Sequence, residues 1–379
     1  MAWEYLRFYR GRTAILITAL TLIIALPLIS RLMLRRFEQQ AHLRAESTPL
    51  VIGAKGSRFG LVMHALYFRG ESPEVIPVAE QQRVDDLGYA QTIPLHVKFT
   101  ARGVPVAGTS EDYFAFRKLK LEKGEPLQRL GDCVVGAAAA NKLNLRPGDS
   151  LVSDPENSFD LSGPSPLKMR VVGLLASNGT ADDDVIWCDL KTAWIIEGIG
   201  HGHSVAGQQT DQTHLHSAST QNLQVYQEVT DDNLESFHFH GRRSEFPLTA
   251  ILAIPNSLKS ETLLMGEFLG PGERLQIVQP VESIAELMIV VSRVRGLFDV
   301  GLGFLILVAL LLLILVLLLS LRLRQPEIRT LQLLGCSRGT MLGLIATEWT
   351  MLFLASLLLA SLLATLTAMI SDTFLIRMI

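Results

Sequence analysis

The chain has 379 residues, 49% of them hydrophobic and 19% charged, with 34 Lys+Arg against 37 Asp+Glu and a formal net charge of −3. A mean hydropathy of +0.31 is too apolar for a disordered chain or an ordinary soluble domain, and the near-balanced charge offers no basic field to hold nucleic acid. Three cysteines, Cys133, Cys188 and Cys336, are too few and too scattered for a disulfide scaffold or a Cys-type zinc module.

Hydrophobicity concentrates in three uncharged stretches, Thr13 to Ser30, Gly301 to Leu321 and Trp349 to Ser371, of 18, 21 and 23 residues. As helices they reach about 27, 31 and 34 Å, against a hydrocarbon core of about 30 Å. The second reads GLGFLILVALLLLILVLLLSL and has no polar face to turn to water. Arg7, Arg10 and Arg12 ahead of the first stretch resemble the basic region of a signal peptide. The run to Ser30 offers no small-x-small cleavage site, however, and Arg31, Arg35 and Arg36 follow at once, so it reads as a retained anchor.

The link 322–341 between the second and third spans carries Arg322, Arg324, Arg329 and Arg338 against Glu327 alone, which places it in the cytoplasm. The expected organisation is then a cytoplasmic segment 1–12, a transmembrane helix 13–30, an extracytoplasmic domain 31–299, a helix 300–321, a cytoplasmic link 322–341, a helix 342–371 and an external segment 372–379. The fold class is an α+β membrane protein: three transmembrane helices, with a large α+β extracytoplasmic domain inserted between the first and the second. Glu348, at the inner end of the third stretch, is expected to face a helix interface or a partner rather than lipid.

In the body, Leu50–Gly53, Thr92–Phe99, Leu167–Leu175 and Val185–Trp187 read as strands. Cys133–Leu145 (CVVGAAAANKLNL) reads as a helix, stopped by the turn Arg146-Pro147-Gly148-Asp149 ahead of a strand Ser150–Val152. Gly53 to Gly60 has the glycines of a phosphate loop but its lysine precedes the second glycine, so it reads as a turn. Asp182-Asp183-Asp184 reads as a solvated acidic turn. Cys133 and Cys188 both fall outside, where a disulfide needs Cα atoms within about 7 Å, a separation the sequence leaves open.

Six of the nine histidines fall between 201 and 240 as the pairs His201/His203, His214/His216 and His238/His240. In an extended segment residues i and i+2 share a face, so each pair offers two imidazoles to one Zn²⁺ or Cu²⁺, with Asp231, Asp232 and Glu235 as nearby oxygen donors. The competing readings are a Gly/Ser/Gln/Thr-rich loop with incidental histidines over 201–216, and a strand end at Phe237-His238-Phe239-His240 whose phenyl groups are buried and whose imidazoles bind nothing. No phosphate loop, Gly-x-Ser-x-Gly elbow, His-Glu-x-x-His or Cys-x-x-Cys occurs, so catalysis by this chain is not expected.

The cytoplasmic link begins Arg324-Gln325-Pro326-Glu327, with Pro326 and Glu327 suited to a first helical turn. Ile328, Leu331 and Leu334 follow at three-residue spacing, and Gly335 can close the helix. A helix lying on the lipid surface has the same pattern. The run EIRTLQLLGCSRGTM (327–341) resembles the Glu-Ile-x-x-Leu-x-x-Leu-Gly-Ala-Ser signature of permeases in the MacB/FtsX-like family of ABC transporters, with Cys336 in place of Ala. The succession VVGAAAANKLNLRPGDSLV (134–152) and LKMRVVGLLASNGTADDDVIWCDLKTAW (167–194) is similar to the extracytoplasmic core of the same family.

That resemblance implies a coupling helix in which Glu327, Ile328, Leu331, Leu334 and Gly335 contact a cytoplasmic ATPase subunit. It implies a non-enzymatic permease working with an ATPase dimer and a second permease copy or paralogue in a bacterial inner membrane, and transmitting motion to its outer domain. Further expected partners are membrane lipid and a periplasmic adaptor or substrate protein, with cargo drawn from lipoprotein, lipid, peptide or a metal-linked factor. No cofactor is expected to be bound directly, Zn²⁺ at the histidines excepted. The family has four spans, whereas the closing run SDTFLIRMI (371–379) covers only about 14 Å as helix, so three spans are expected here. The alternatives are a metal-sensing or signalling receptor, and a scaffold that activates a hydrolase.

Overall fold

A computed structural model describes residues 2–155, 165–202, 226–323, 325, 329–330, 333 and 336–378. The chain divides into two compact units, one built on Met1–Gln39 and Glu286–Leu375, the other on Gln40–Ala285.

The chain opens with helices α1 (Ala2–Phe8) and α2 (Arg10–Glu46). The sheet-rich unit then runs β1 (Leu50–Ala54), α3 (Arg58–Tyr67), β2 (Ile76–Pro77), α4 (Val78–Leu87), β3 (Ala90–Ala101), β4 (Val104–Thr109), α5 (Glu111–Arg117), β5 (Leu121–Gly124), β6 (Asp132–Val135), α6 (Ala137–Leu143), β7 (Ser150–Val152) and β8 (Leu167–Leu175). It continues with β9 (Ile186–Asp189), α7 (Leu190–Ile196), β10 (Gly200–His201), β11 (Gln227–Glu228), β12 (His238–Phe239), β13 (Pro247–Leu248), β14 (Ala250–Pro255), α8 (Leu258–Glu267) and β15 (Leu275–Val278). Among the described residues eleven strands form one mixed sheet in the order β11-β8-β6-β9-β4-β3-β14-β1-β15, with β5 and β7 also paired to β8.

Alternation builds this sheet. In β8 the residues Leu167, Met169, Val171, Gly173 and Leu175 are buried and the alternate positions are not, the period-two pattern of a strand with one face on a core. Leu167, Met169 and Val171 join Val106, Cys133, Leu151, Ile186 and Ile195 in one apolar cluster. A second cluster gathers Leu50, Ile52, Ile76, Leu248, Ile251, Leu264 and Leu275. Helix α7 serves both, with Ile195 in the first and Trp194 in the second.

Two sequence expectations are overturned in this unit. Residues 132–135 are strand, not helix: Cys133 and Val134 stand opposite Cys188 and Trp187 of β9, and β6 also pairs with β8. Buried β-branched side chains in a central strand outweigh the helix preference of the alanines that follow, so α6 begins only at Ala137, after Gly136. Glycine is required there because the carbonyls of Asp182 and Asp183 occupy the space a Cβ would need. Cys133 and Cys188 are buried free thiols, and burial raises both above the ordinary thiol range.

The Asp182-Asp183-Asp184 turn is likewise not a solvated loop, since Asp182 and Asp183 are buried. Asp183 accepts hydrogen bonds from Ser177 Oγ and the Asn178 and Gly179 amides. Asp182 receives the guanidinium fork of Arg44, Nη1 at 2.9 Å and Nη2 at 2.8 Å, and the Tyr113 hydroxyl at 2.8 Å. Arg44 sits in the last turn of α2, and its Nε donates to the Leu66 carbonyl. Arg117 of α5 donates to Ser47 and Thr48 just beyond it, at 2.8 and 2.7 Å. Burial alone would raise the Asp182 carboxyl, but the charge and hydrogen bonds of Arg44 hold it below the usual carboxylate range.

Two long helices close the chain, α9 (Pro280–Leu323) and α10 (Arg338–Met378). Among the described residues these two and α2 supply three segments long and apolar enough to cross a membrane, Arg10–Arg35, Pro280–Val316 and Gly339–Thr367. In the helical unit Leu6, Leu16 and Leu352 pack with Ile17, Leu313 and Trp349, and Ser356 Oγ bonds the Ile17 carbonyl at 3.3 Å. Glu348 is buried in this unit.

Replacing Arg44 by Met strands a buried carboxylate and is expected to lower the stability of the sheet-rich unit by about 3–5 kcal/mol. Urea unfolding followed by tryptophan fluorescence reads this, because Trp187 stacks 4.6 Å from Tyr113. Arg44→Met/Asp182→Leu is expected to recover most of the loss. Since Asp182 is lowered in the folded state, the pair's contribution is present above the unfolded carboxylate range and fades as pH falls through the lowered value.

Candidate metal centre

The short strands β10 and β12 form a separate two-stranded antiparallel sheet in which Gly200 faces Phe239 and His201 faces His238. The ladder extends through the His240 amide, which donates to the Ile199 carbonyl at 2.8 Å. Directly opposed residues of an antiparallel pair share a face, as do residues two apart on one strand. The register therefore places His201, His238 and His240 on one side.

The other side is fixed by aromatic packing. Phe239 lies 6.5 Å from Trp194 and 6.0 Å from Phe246, and Phe237 and Phe239 both pack on the first apolar cluster. Gly200 is required by this approach: a Cβ there would stand 2.8 Å from the Phe239 ring. With the phenyl groups held inward, the imidazoles are held outward.

The ring centroids of His201, His238 and His240 are 4.7 to 4.8 Å apart, and one ligating nitrogen from each lies within 4.8 Å of the others. His201 is half-buried and the other two are exposed. His238 Nδ1 is 3.0 Å from the Ser236 carbonyl, the backbone acceptor two residues earlier. Among the described residues these three side chains are the group able to hold a metal ion. Asp231, Asp232 and Glu235 do not join them; Asp231 pairs with Arg129 instead. His203, His214 and His216 lie outside the described residues.

The five coupling residues Glu327, Ile328, Leu331, Leu334 and Gly335 also lie outside the described residues. Within the link, Arg329, Thr330, Leu333 and Cys336 are described and exposed. Ser337 starts α10 by accepting the Thr340 amide at 3.2 Å, an N-cap that marks the end of the link.

The sequence profile of the MacB-like periplasmic core domain matches residues 14–241, and that of the FtsX-like permease C-terminal domain matches residues 300–379. No curated protein matches the chain. Among solved structures, the periplasmic region of MacB from Actinobacillus actinomycetemcomitans is 13% identical with a TM-score of 0.34, over 64% of this chain and 92% of that one. The extracellular domain of the noncanonic ABC-type transporter YknZ from Gram-positive bacteria is 11% identical with a TM-score of 0.34, over 60% and 98%. A domain of a permease protein from Porphyromonas gingivalis is 9% identical with a TM-score of 0.26, over 55% and 78%.

Gly200→Val is expected to force Phe239 out of its seat and lower the stability of the sheet-rich unit by about 1–3 kcal/mol, measured by urea titration. Gly266→Ala in α8, where a Cβ meets open space, is the control and is expected to leave stability unchanged or raise it by up to about 1 kcal/mol.

Proposed function

Because the chain belongs to the MacB/FtsX-like family of ABC transporter permeases, we propose that it is the permease subunit of a complex in which a separate polypeptide hydrolyses ATP and this one converts the motor's closure into motion of its outer domain. The observation that carries the proposal is the presence in one chain of both family segments, the core-domain match over 14–241 and the permease C-terminal match over 300–379. The second contains the link between α9, which ends at Leu323, and α10, which begins at Arg338.

The chemistry of the link suits a docking element. Ile328, Leu331 and Leu334 supply apolar knobs at helical spacing, Glu327 suits a helix N-terminus, and Gly335 permits the helix to stop. Helices on both sides of the link prevent a push on it from being absorbed by slack chain. The motors would be two copies of a cytoplasmic ATPase on a dimer of this permease or of this permease with a paralogue. The long apolar stretches carry no file of ionisable residues to line a solute path, which favours mechanical transmission over a channel and points to cargo handled outside: a lipoprotein, a lipid, a peptide or a metal-linked factor. The histidine trio, two of its rings exposed, favours a second reading, a metal-sensing receptor whose helices only anchor it.

Affinity purification of the intact complex from detergent-solubilised membranes separates the two. An ATPase subunit is expected to copurify with the wild-type chain, and Leu331→Asp is expected to reduce its recovery by about tenfold or more while the urea unfolding of the sheet-rich unit stays unchanged. Recovery of a kinase or a sigma-factor regulator in place of an ATPase would establish the receptor.

A further inference from the structure

We propose that His201, His238 and His240 form an exchangeable Zn²⁺ site with three imidazole ligands and one open coordination position. A tetrahedral zinc with Zn–N bonds of about 2.0–2.1 Å sets its nitrogens about 3.3 Å apart. The three ligating nitrogens already lie within 4.8 Å of one another, so closure takes movements of about an ångström, which rotation of the two exposed rings, His238 and His240, supplies without moving the strands.

The backbone prepares the site in two ways. Pairing of His201 with His238 and the burial of Phe239 opposite Gly200 put three imidazoles on one face before any metal arrives. The Ser236 carbonyl, 3.0 Å from His238 Nδ1, accepts the proton of that nitrogen and leaves Nε2 as the lone-pair donor. That is how metal-ligating histidines are commonly oriented, by a hydrogen bond from the ring nitrogen that does not bind.

The donor set selects the metal. Three neutral imidazoles without a carboxylate or thiolate suit Zn²⁺ or Cu²⁺ and disfavour Ca²⁺ and Mg²⁺, which require oxygen. A purely structural zinc has four protein ligands in a closed tetrahedron. Here three ligands, two of them exposed, leave room for water or for a donor atom of a metal-carrying partner, and two apolar clusters hold the fold without a metal. The site stands on the strand pairing alone and is independent of the coupling to an ATPase.

The test titrates the full-length chain in detergent, purified with a tag free of histidine and stripped of metal, with Zn²⁺ in competition with a chromophoric chelator. His201→Ala, His238→Ala and His240→Ala are each expected to weaken binding by about tenfold or more. The combined variant His203→Ala/His214→Ala/His216→Ala is expected to keep its affinity within about threefold, and Co²⁺ is expected to give the visible bands of a four-coordinate site only where the trio is intact. Unfolding in urea confirms that each variant is folded, and recovery of the ATPase is read separately from metal binding. Wild-type affinity in all three single variants, or loss of binding in the combined variant alone, would overturn the assignment.

Discussion

The pairing of β1 with β15 is the constraint on which the rest of the sheet-rich unit depends. The chain enters this unit from α2 through β1 and leaves it into α9 through β15, and these two strands lie side by side with Val51 opposite Val278. On its other edge β1 pairs with β14, so the entering strand is covered on both sides, and Leu50, Val51 and Ile52 are fully buried. Roughly two hundred residues of chain between the two strands are thereby closed into a loop whose ends meet, the geometry a domain needs to be inserted between two helices.

A second fastening fixes the end of α2 on the same unit. Arg44 spends its fork on Asp182, its Nε on the Leu66 carbonyl and a further contact on Tyr113, while Arg117 holds the two hydroxyl residues that follow α2. A buried ion pair contributes less net stability than its Coulomb energy suggests, because both charges lose their water. It does fix how Arg44 meets Asp182, since a bidentate fork accepts one approach. Burial of Asp182 also explains why Gly136 is a glycine: the turn that carries the carboxylate presses its carbonyls on that position.

Much of the fold was legible in the sequence where one signal dominated. Uncharged runs located the three apolar helices, alternation located β8 to the residue, and the Pro-Gly turn located β7 after it. The sequence reading failed where local and long-range preferences competed. Ala137 to Ala140 is strongly helical, and that signal spread backwards over Cys133 to Val135, whose pairing with β8 and β9 is visible only in three dimensions. The acidic turn was misread for a related reason, since its partner Arg44 is 138 residues away. For the histidines the pairs were evident, but not their assembly across strands. A signal was present: Gly-His-Gly-His at 200–203 is complementary to Phe-His-Phe-His at 237–240, small residues in one run facing large residues in the other, as Gly200 and Phe239 do.

In the permease proposed above, the histidine face would serve chemistry outside the cell and the link would receive force inside it. Their separation by the membrane is the central claim, and Cys336 is a natural probe of it. This thiol is exposed in the link, whereas Cys133 and Cys188 are buried in the sheet. The direct measurement is labelling of the native chain with a membrane-impermeant maleimide, in intact spheroplasts and in inside-out vesicles. The account predicts modification of Cys336 in inside-out vesicles and protection in spheroplasts, with Cys336→Ser abolishing the signal; labelling of Cys336 in intact spheroplasts would contradict it.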